Sequence, residues 1–496
     1  MFNVMRMTVV LFLFLLTACG GSQSGGESGD TSATTTSTGG SLTTLEYEDS
    51  PFGFHPALVN RFGYSDNGYV DARKIGVRWN RPSLYTFWFK VQPDINDPAY
   101  HWEEYDTLYG NVPEGINILA NIATQPRSYD AGYEIPGSYL PVDEGKYTAF
   151  VKATVERYDG DGIGEEDFNG GVFPNPIKYW QVDNEPNALT KTGYAGLQQI
   201  TYMAIKEACS DCQVLIGGAT GFPDNFADNF SVYAQILSDL NGQYVDIFDF
   251  HWYGFADGDY HESKDACDLV RSKLNEYGFG NIPVWITEMG SHSGTITWED
   301  PYNGLYQTEA QQAEDYLKRF IYPLSFGVKK IFPAFGLIEG FKQNNGYFDH
   351  TGLLYDGEDP DVGDDKGLGI KKLGYYSYKL MTEKLEGSDW DKIRTIQESG
   401  NVHIYKFTKD NNSIYVAWWD YFDEAGYQEG DTKTIAFDID FTGDALITDA
   451  VPNAVSGAVL DENNYPDFFE TETKSVTNGQ VTITLGENPV FVEAAQ

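Results

Sequence analysis

From about residue 50 the chain alternates short apolar runs with longer segments in which apolar residues recur at helical spacing. The apolar runs are 52–59 (FGFHPALV), 75–81 (IGVRWNR), 116–123 (INILANIA), 177–185 (IKYWQVDNE), 213–220 (QVLIGGAT), 245–253 (VDIFDFHWY), 282–290 (IPVWITEMG) and 330–338 (KIFPAFGLI). Each is short and rich in β-branched or aromatic residues. None alternates cleanly, as expected of strands covered on both faces. Between them, segments such as 146–158, 194–209, 308–324 and 373–387 carry the helical period. Eight strand–helix units predict an α/β fold, a (β/α)8 TIM barrel, over residues 47–387. A doubly wound sheet would want a glycine-rich phosphate loop after its first strand, and none is present.

After residue 388 the helical period disappears. VHIYKFTKDNNSIYVAWWDYF, KTIAFDIDF, VTNGQVTITLG and PVFVEAA are strand-like stretches divided by turn signals such as DNN and NG. They predict a C-terminal all-β sandwich over 388–496, serving either to brace the barrel or to bind glycan.

The first 18 residues have one early Arg6 and an apolar stretch, Val9 to Leu16, too short to span a bilayer comfortably. LTAC (16–19) resembles the lipobox of bacterial lipoproteins. That resemblance implies removal of 1–18 as a signal peptide, lipidation of Cys19, and a cell-envelope lipoprotein. Gly20 in place of an aspartate points to the outer membrane or cell surface. Residues 19–46 are mostly Gly, Ser and Thr, which cannot bury enough apolar surface to fold, and read as a flexible tether.

Composition narrows the partners. Asp and Glu number 74 against 33 Lys and Arg, a net charge of −41, which argues against nucleic acid as a partner. In an exported chain, Cys209 and Cys212 of CSDC are expected to form a local disulfide, leaving Cys267 free. The acidic loop DGDGIGEEDF (159–168) suits a structural Ca²⁺, although Ile163 breaks the EF-hand pattern. A solvated acidic turn is the alternative, and no other cofactor is expected.

The chemistry lies at two strand ends. Barrel strands deliver their last residues to one shared mouth. Glu185 ends the fourth predicted strand and Glu288 the seventh. Two carboxylates flanking one bond are what glycosidic cleavage needs: one protonates the leaving oxygen, the other attacks or supports the anomeric carbon. DNEP (183–186) and ITEMG (286–290) resemble the motifs of the clan A retaining glycoside hydrolases. The whole layout, β-module included, is most similar to family 39 and its relatives.

The resemblance implies that Glu185 is the acid/base and Glu288 the nucleophile. It implies that Asn184 binds the sugar 2-hydroxyl, that Tyr253 of HWY (251–253) hydrogen-bonds Glu288, and that His251 lines the site. It assigns Arg78 of GVRWNR to keeping the nucleophile ionised. Where many clan members place a tryptophan, at the end of strand eight, this chain offers only Phe332, Phe335 and Phe341. Trp79, Trp102, Trp252 and Trp298 are candidates to stack on sugar rings. Arg78, Arg81, Lys90 and Arg127 are candidates for a locally basic cleft. The expected function is retaining cleavage of β-glycosidic bonds in a plant or algal polysaccharide or its oligosaccharides. The alternatives are a non-catalytic surface glycan-binding lipoprotein on the same scaffold, or an inverting or lyase-type enzyme.

Overall fold

The computed structural model describes residues 45–59, 68–187, 189–223, 225–297, 304–339, 346–357 and 365–495. The expected signal peptide, Cys19, most of the tether, Trp298 and Phe341 lie outside the described residues. Eight parallel strands form the centre: β1 (Gly53–Phe54), β2 (Trp79–Asn80), β3 (Asn117–Ala123), β4 (Tyr179–Val182), β5 (Gln213–Leu215), β6 (Phe248–Tyr253), β7 (Val284–Gly290) and β8 (Val328–Pro333). Neighbours pair in sequence order from β1 to β5 and from β6 to β8. Parallel bridges Leu215–Ile247 and Ala219–Phe250 join β5 to β6, and Phe52–Ile331 and His55–Ala334 join β8 back to β1. The sheet is therefore closed.

Among the described residues, and beside a single turn at Trp88–Val91, eight helices alternate with these strands: α1 (Val70–Lys74), α2 (Glu103–Gly110), α3 (Glu144–Tyr158), α4 (Tyr194–Ala208), α5 (Phe226–Leu240), α6 (Ser263–Glu276), α7 (Glu309–Ser325) and α8 (Leu373–Leu385). Strands β3, β6 and β7 are buried along their whole length, which is why their sequences do not alternate. Helix α7 starts where Thr308 and Gln311 form a reciprocal capping box, satisfying two otherwise orphaned donors.

The barrel floor is filled with aromatic rings. Trp79, Tyr179 and Trp285 meet edge-on or stacked, with centroids 4.9 to 5.4 Å apart. Lys330 threads among them, its ammonium 4.5 Å from the Trp79 ring and donating to the Ser50 carbonyl at 3.1 Å. Burial pushes that ammonium down to about 7.

Past α8 the chain is antiparallel: β9 (Arg394–Ser399), β10 (Val402–Lys409), β11 (Asn412–Trp419), β12 (Lys433–Asp438), β13 (Asp444–Asp449), β14 (Thr471–Ser475), β15 (Gln480–Leu485) and β16 (Val490–Ala494). One sheet has the order β9-β10-β11-β16-β13-β14, and β12 pairs with β15 in a second. Val402, Tyr415, Phe437, Val481 and Val492 share an apolar core between them. The β10–β11 hairpin turns on Asp410 and Asn411, both with positive φ (50° and 65°). Asp and Asn tolerate that geometry, as a two-residue hairpin turn requires. The module is tied to the barrel by Lys384–Glu493 (2.5 Å), Tyr421–Glu314 (2.8 Å) and the Gly457 N–H donating to Glu309 (2.6 Å).

The Cys209–Cys212 disulfide is present, and Cys267 is free and buried. In the 159–168 loop, Glu165 accepts three backbone N–H groups, from Gly160 (2.7 Å), Gly162 (2.9 Å) and Phe173 (3.0 Å). Asp167 pairs with Arg157 at 3.0 Å. These contacts close the turn on itself.

Candidate active site

Strand β4 runs into Asp183, Asn184 and Glu185 at the barrel mouth. Asp183 and Glu185 both have left-handed backbones, φ 59° and 41°, which cost a non-glycine residue about 1 to 3 kcal/mol each. The turn is held against that strain: Asn121 Nδ2 donates to the Asp183 carbonyl (3.0 Å), and the Asn184 N–H donates to the Asp183 carboxylate (2.7 Å). Across the barrel, the pairing of β6 with β7 slips one residue between Phe250 and His251. A bulge of this kind re-aims side chains. Here it sets His251 opposite Glu288, while the bulged Thr287 donates through its N–H and Oγ1 to buried Asp249 (2.9 and 2.6 Å).

Glu185, His251 and Glu288 converge. His251 Nδ1 lies 2.7 Å from Glu185 Oε1 and 3.6 Å from Glu288 Oε2, and one oxygen of each glutamate falls within 4.8 Å of the other. Glu288 is buried; its Oε1 accepts from Arg81 Nη1 at 2.7 Å and its Oε2 from the Tyr253 hydroxyl. Burial alone would push this carboxyl up, but His251 and Arg81 outweigh it and hold it well below the usual carboxylate range. Burial likewise pulls His251 down, yet Glu288, Asp249 and Glu185 around it push the imidazole up to about 10. It is therefore an imidazolium at neutral pH. Its Nε2 faces Thr287 Oγ1 at 3.2 Å and Asp249 Oδ2 at 3.4 Å.

Arg81 organises the floor of this pocket. Its guanidinium is fully buried and spends Nε on Gln181 Oε1 (2.8 Å), Nη1 on Glu288, and Nη2 on Asn184 Oδ1 (2.6 Å). The last bond fixes the Asn184 amide so that its nitrogen serves as a donor. His55, on the other side of Glu288 at 3.6 Å, donates Nδ1–H to the Arg81 carbonyl at 2.7 Å. Burial, with Arg81 adding to it, pushes His55 down to about 3, so it is neutral with Nε2 as an acceptor. Arg127, about a third exposed, overlooks the mouth, 3.9 Å from Glu185 Oε2 and 3.8 Å from Asp183 Oδ1.

Four sequence-based expectations are corrected, for Arg78, Trp252, Trp79 and Trp102. Arg78 does not reach the site: its guanidinium lies 3.6 Å over the Tyr47 ring and 3.8 Å from Glu386. It sits three residues earlier on its strand than Arg81, roughly 10 Å farther from the mouth at about 3.3 Å per residue. Trp252 is also absent from the site. It lies between two inward side chains, so strand alternation turns it outward, where it packs on Phe226 (5.6 Å) and donates to the Asp259 carbonyl (3.0 Å). Trp79 belongs to the barrel floor, and Trp102 packs outside against Tyr158 (6.1 Å). Glu339, in the loop after β8, is buried and paired with Lys372 at 2.5 Å.

Glu185, Glu288, Asn184, His251 and Tyr253 are brought together. Phe335 reaches the rim: it packs on Phe348 at 4.3 Å, and Phe348 packs on Tyr253 at 5.1 Å. His55, Gln181 and Asp249 were not singled out by the sequence, and Arg81 was expected only as part of a basic cleft, not as the partner of Glu288. For Arg81 the signal was its place at the end of the strand rather than its start.

No protein-family model matches the chain, and no curated protein matches it. Among solved structures it is similar to a family 39 glycoside hydrolase from the gut symbiont Bacteroides cellulosilyticus WH2. The TM-score is 0.56 at 16% identity, over 86% of this chain and 77% of that one. A glucosidase from Croceicoccus marinus gives 0.57 at 14% identity, over 92% and 98%. An α-L-arabinofuranosidase from Thermotoga maritima gives 0.56 at 10%, over 91% and 98%. At these identities the likeness is one of fold: a barrel followed by a β-module.

Proposed function

We propose that this protein is a retaining glycoside hydrolase acting on β-glycosidic bonds of a plant or algal polysaccharide or its oligosaccharides. The observation that carries the reading is the pair of strand-end carboxylates with oxygens within 4.8 Å. Retaining enzymes hold their carboxyl groups about 5 to 5.5 Å apart, and inverting ones about 6.5 to 9.5 Å to admit a water. Glu288, held ionised by Arg81 and His251, is suited to attack the anomeric carbon. The leaving oxygen takes its proton from Glu185, and the bond from sugar to Glu288 forms as the glycosidic bond breaks. Water then enters, Glu185 removes its proton, and the sugar–Glu288 ester is cleaved with net retention. Glu185 Oε1 shares its hydrogen bond with His251 Nδ1, so the imidazolium steadies the carboxylate left after proton donation. Asn184 donates to the 2-hydroxyl, and the Phe335–Phe348 rim offers apolar ring surface beside Tyr253.

The test is a panel of aryl β-glycosides and polysaccharides, with the anomeric configuration of the first product followed by NMR. Retention supports the reading; inversion, or unsaturated product ends, contradicts it. Among the described residues no helix is long and apolar enough to cross a membrane. LTAC at 16–19 supports attachment through a lipid on Cys19 at the outer membrane or cell surface, with the tether giving the barrel reach. Incorporation of labelled palmitate, lost in Cys19→Ala, tests that placement.

A further inference from the structure

We propose that His261, His403 and Asp420 form a binding site for a zinc-class divalent ion, which staples the β6–α6 loop of the barrel to the C-terminal β-module. His261 lies just before α6, His403 on β10 and Asp420 just after β11. Their ligand atoms converge from elements 142 residues apart (403 − 261) in sequence. Nε2 of His261 is 2.7 Å and Nε2 of His403 2.8 Å from the same oxygen, Asp420 Oδ2, and the three atoms all lie within 4.8 Å of one another. The imidazole rings stack at an angle of 29°, with centroids 5.1 Å apart.

Hydrogen bonding explains this arrangement poorly. The Tyr260 hydroxyl accepts from Trp418 Nε1 (2.7 Å) and donates to the same Oδ2 (2.7 Å). One carboxylate oxygen therefore faces this hydroxyl and both imidazole Nε2 atoms, all within 2.8 Å. The other, Oδ1, is buried without a hydrogen bond; its nearest cation is Lys318 at 3.7 Å, itself paired with Glu314 at 2.9 Å. An ion between the two Nε2 lone pairs and Oδ2 resolves the crowding. Two imidazoles and one carboxylate make a donor set suited to zinc, with a fourth position for solvent. His261 is 29% exposed at its side chain, so solvent reaches that position.

The outer contacts agree. His403 Nδ1 faces the Tyr405 hydroxyl at 3.4 Å, and that hydroxyl donates to Glu398 at 2.5 Å. Such a partner places the imidazole proton on Nδ1 and leaves Nε2 as the ligand, as in metal-bound histidines. The buried thiol of Cys267 is not among the converging atoms.

The test is zinc uptake by the full chain after chelator treatment and dialysis, measured as bound metal per chain, alongside Co²⁺ binding followed by its visible absorption. The wild type is expected to retain about one Zn²⁺ per chain, and to give a four- or five-coordinate Co²⁺ spectrum without thiolate charge-transfer bands. His261→Gln and His403→Gln are each expected to weaken binding at least about 100-fold while remaining folded by circular dichroism. Thermal midpoints should rise with Zn²⁺ in the wild type and not in the variants. No uptake by the wild type, or equal uptake in His261→Gln/His403→Gln, overturns the proposal. Because these readouts are independent of glycoside turnover, their failure leaves the hydrolase reading untouched.

Discussion

Arg81→Met and Arg78→Met separate two arginines of the same sequence motif that look equivalent on paper. Arg81 is fully buried and donates to Glu288 (2.7 Å), Asn184 (2.6 Å) and Gln181 (2.8 Å). Removing one partner of a buried ion pair costs about 3 to 5 kcal/mol, because the remaining charge stays buried. Arg81 also positions Glu288 and Asn184, and misplacing a reacting group by about 1 Å costs a factor of about 10² in rate. Arg78 instead covers an aromatic ring and faces Glu386 at 3.8 Å with its side chain 26% exposed, an interaction worth about 0 to 1 kcal/mol. The assay is kcat and KM on an accepted aryl glycoside, with melting curves on the same samples. Arg81→Met should melt markedly lower and lose about 10² in kcat. It should also show an acidic limb moved upward, because Glu288 has lost a cation. Arg78→Met should stay within about twofold in kcat. Wild-type turnover in Arg81→Met, or an equal loss in Arg78→Met, would refute the assignment.

Three other outcomes follow from the same site. A Cβ added at Gly218 would stand 2.3 Å from His251 Nε2 and 2.5 Å from Asp249 Oδ2. Gly218→Ala should therefore displace the imidazole and lower kcat at least tenfold at an overpacking cost of about 1 to 3 kcal/mol; unchanged kinetics would mean the ring is not held there. His251 is raised from 6.5 to about 10, so its stabilisation is complete below pH 6.5 and is lost as pH rises towards 10. The gap in melting temperature between wild type and His251→Gln should narrow over that range; a constant or widening gap contradicts the shift. Glu185→Ala should lose turnover of poorly activated glycosides, recover it with added azide, and yield a β-glycosyl azide. An α-azide product would contradict its role as acid/base.

The barrel was legible because strands buried on both faces read as largely apolar runs, and the observed strands lie within those runs or overlap them. Glu185, Glu288, Asn184, His251 and Tyr253 were legible because each sits at a strand end, the one place where a barrel exposes its strands to a common pocket. The arginine was misplaced because a motif names a residue type, whereas reach depends on height along the strand; Arg81 stands one step nearer the mouth than Asn80, and Arg78 three residues below Arg81. Trp252 misled for a similar reason: flanked by two inward residues, it has to face the helices. Gln181, Asp249 and His55 were hidden in runs that look apolar, since a buried polar residue shows its purpose only through its partners. The bulge at Thr287 leaves no trace in composition.

The most direct measurement is mass spectrometry of the protein after reaction with a 2-deoxy-2-fluoro-β-glycoside carrying a good leaving group. The fluorine slows both formation and hydrolysis of the glycosyl ester, and the activated leaving group restores its formation, so the ester accumulates. The account predicts one glycosyl adduct per chain, on Glu288 in the β7 peptide, absent from Glu288→Gln. An adduct on another residue, or none in an enzyme that turns over the parent glycoside, would contradict it.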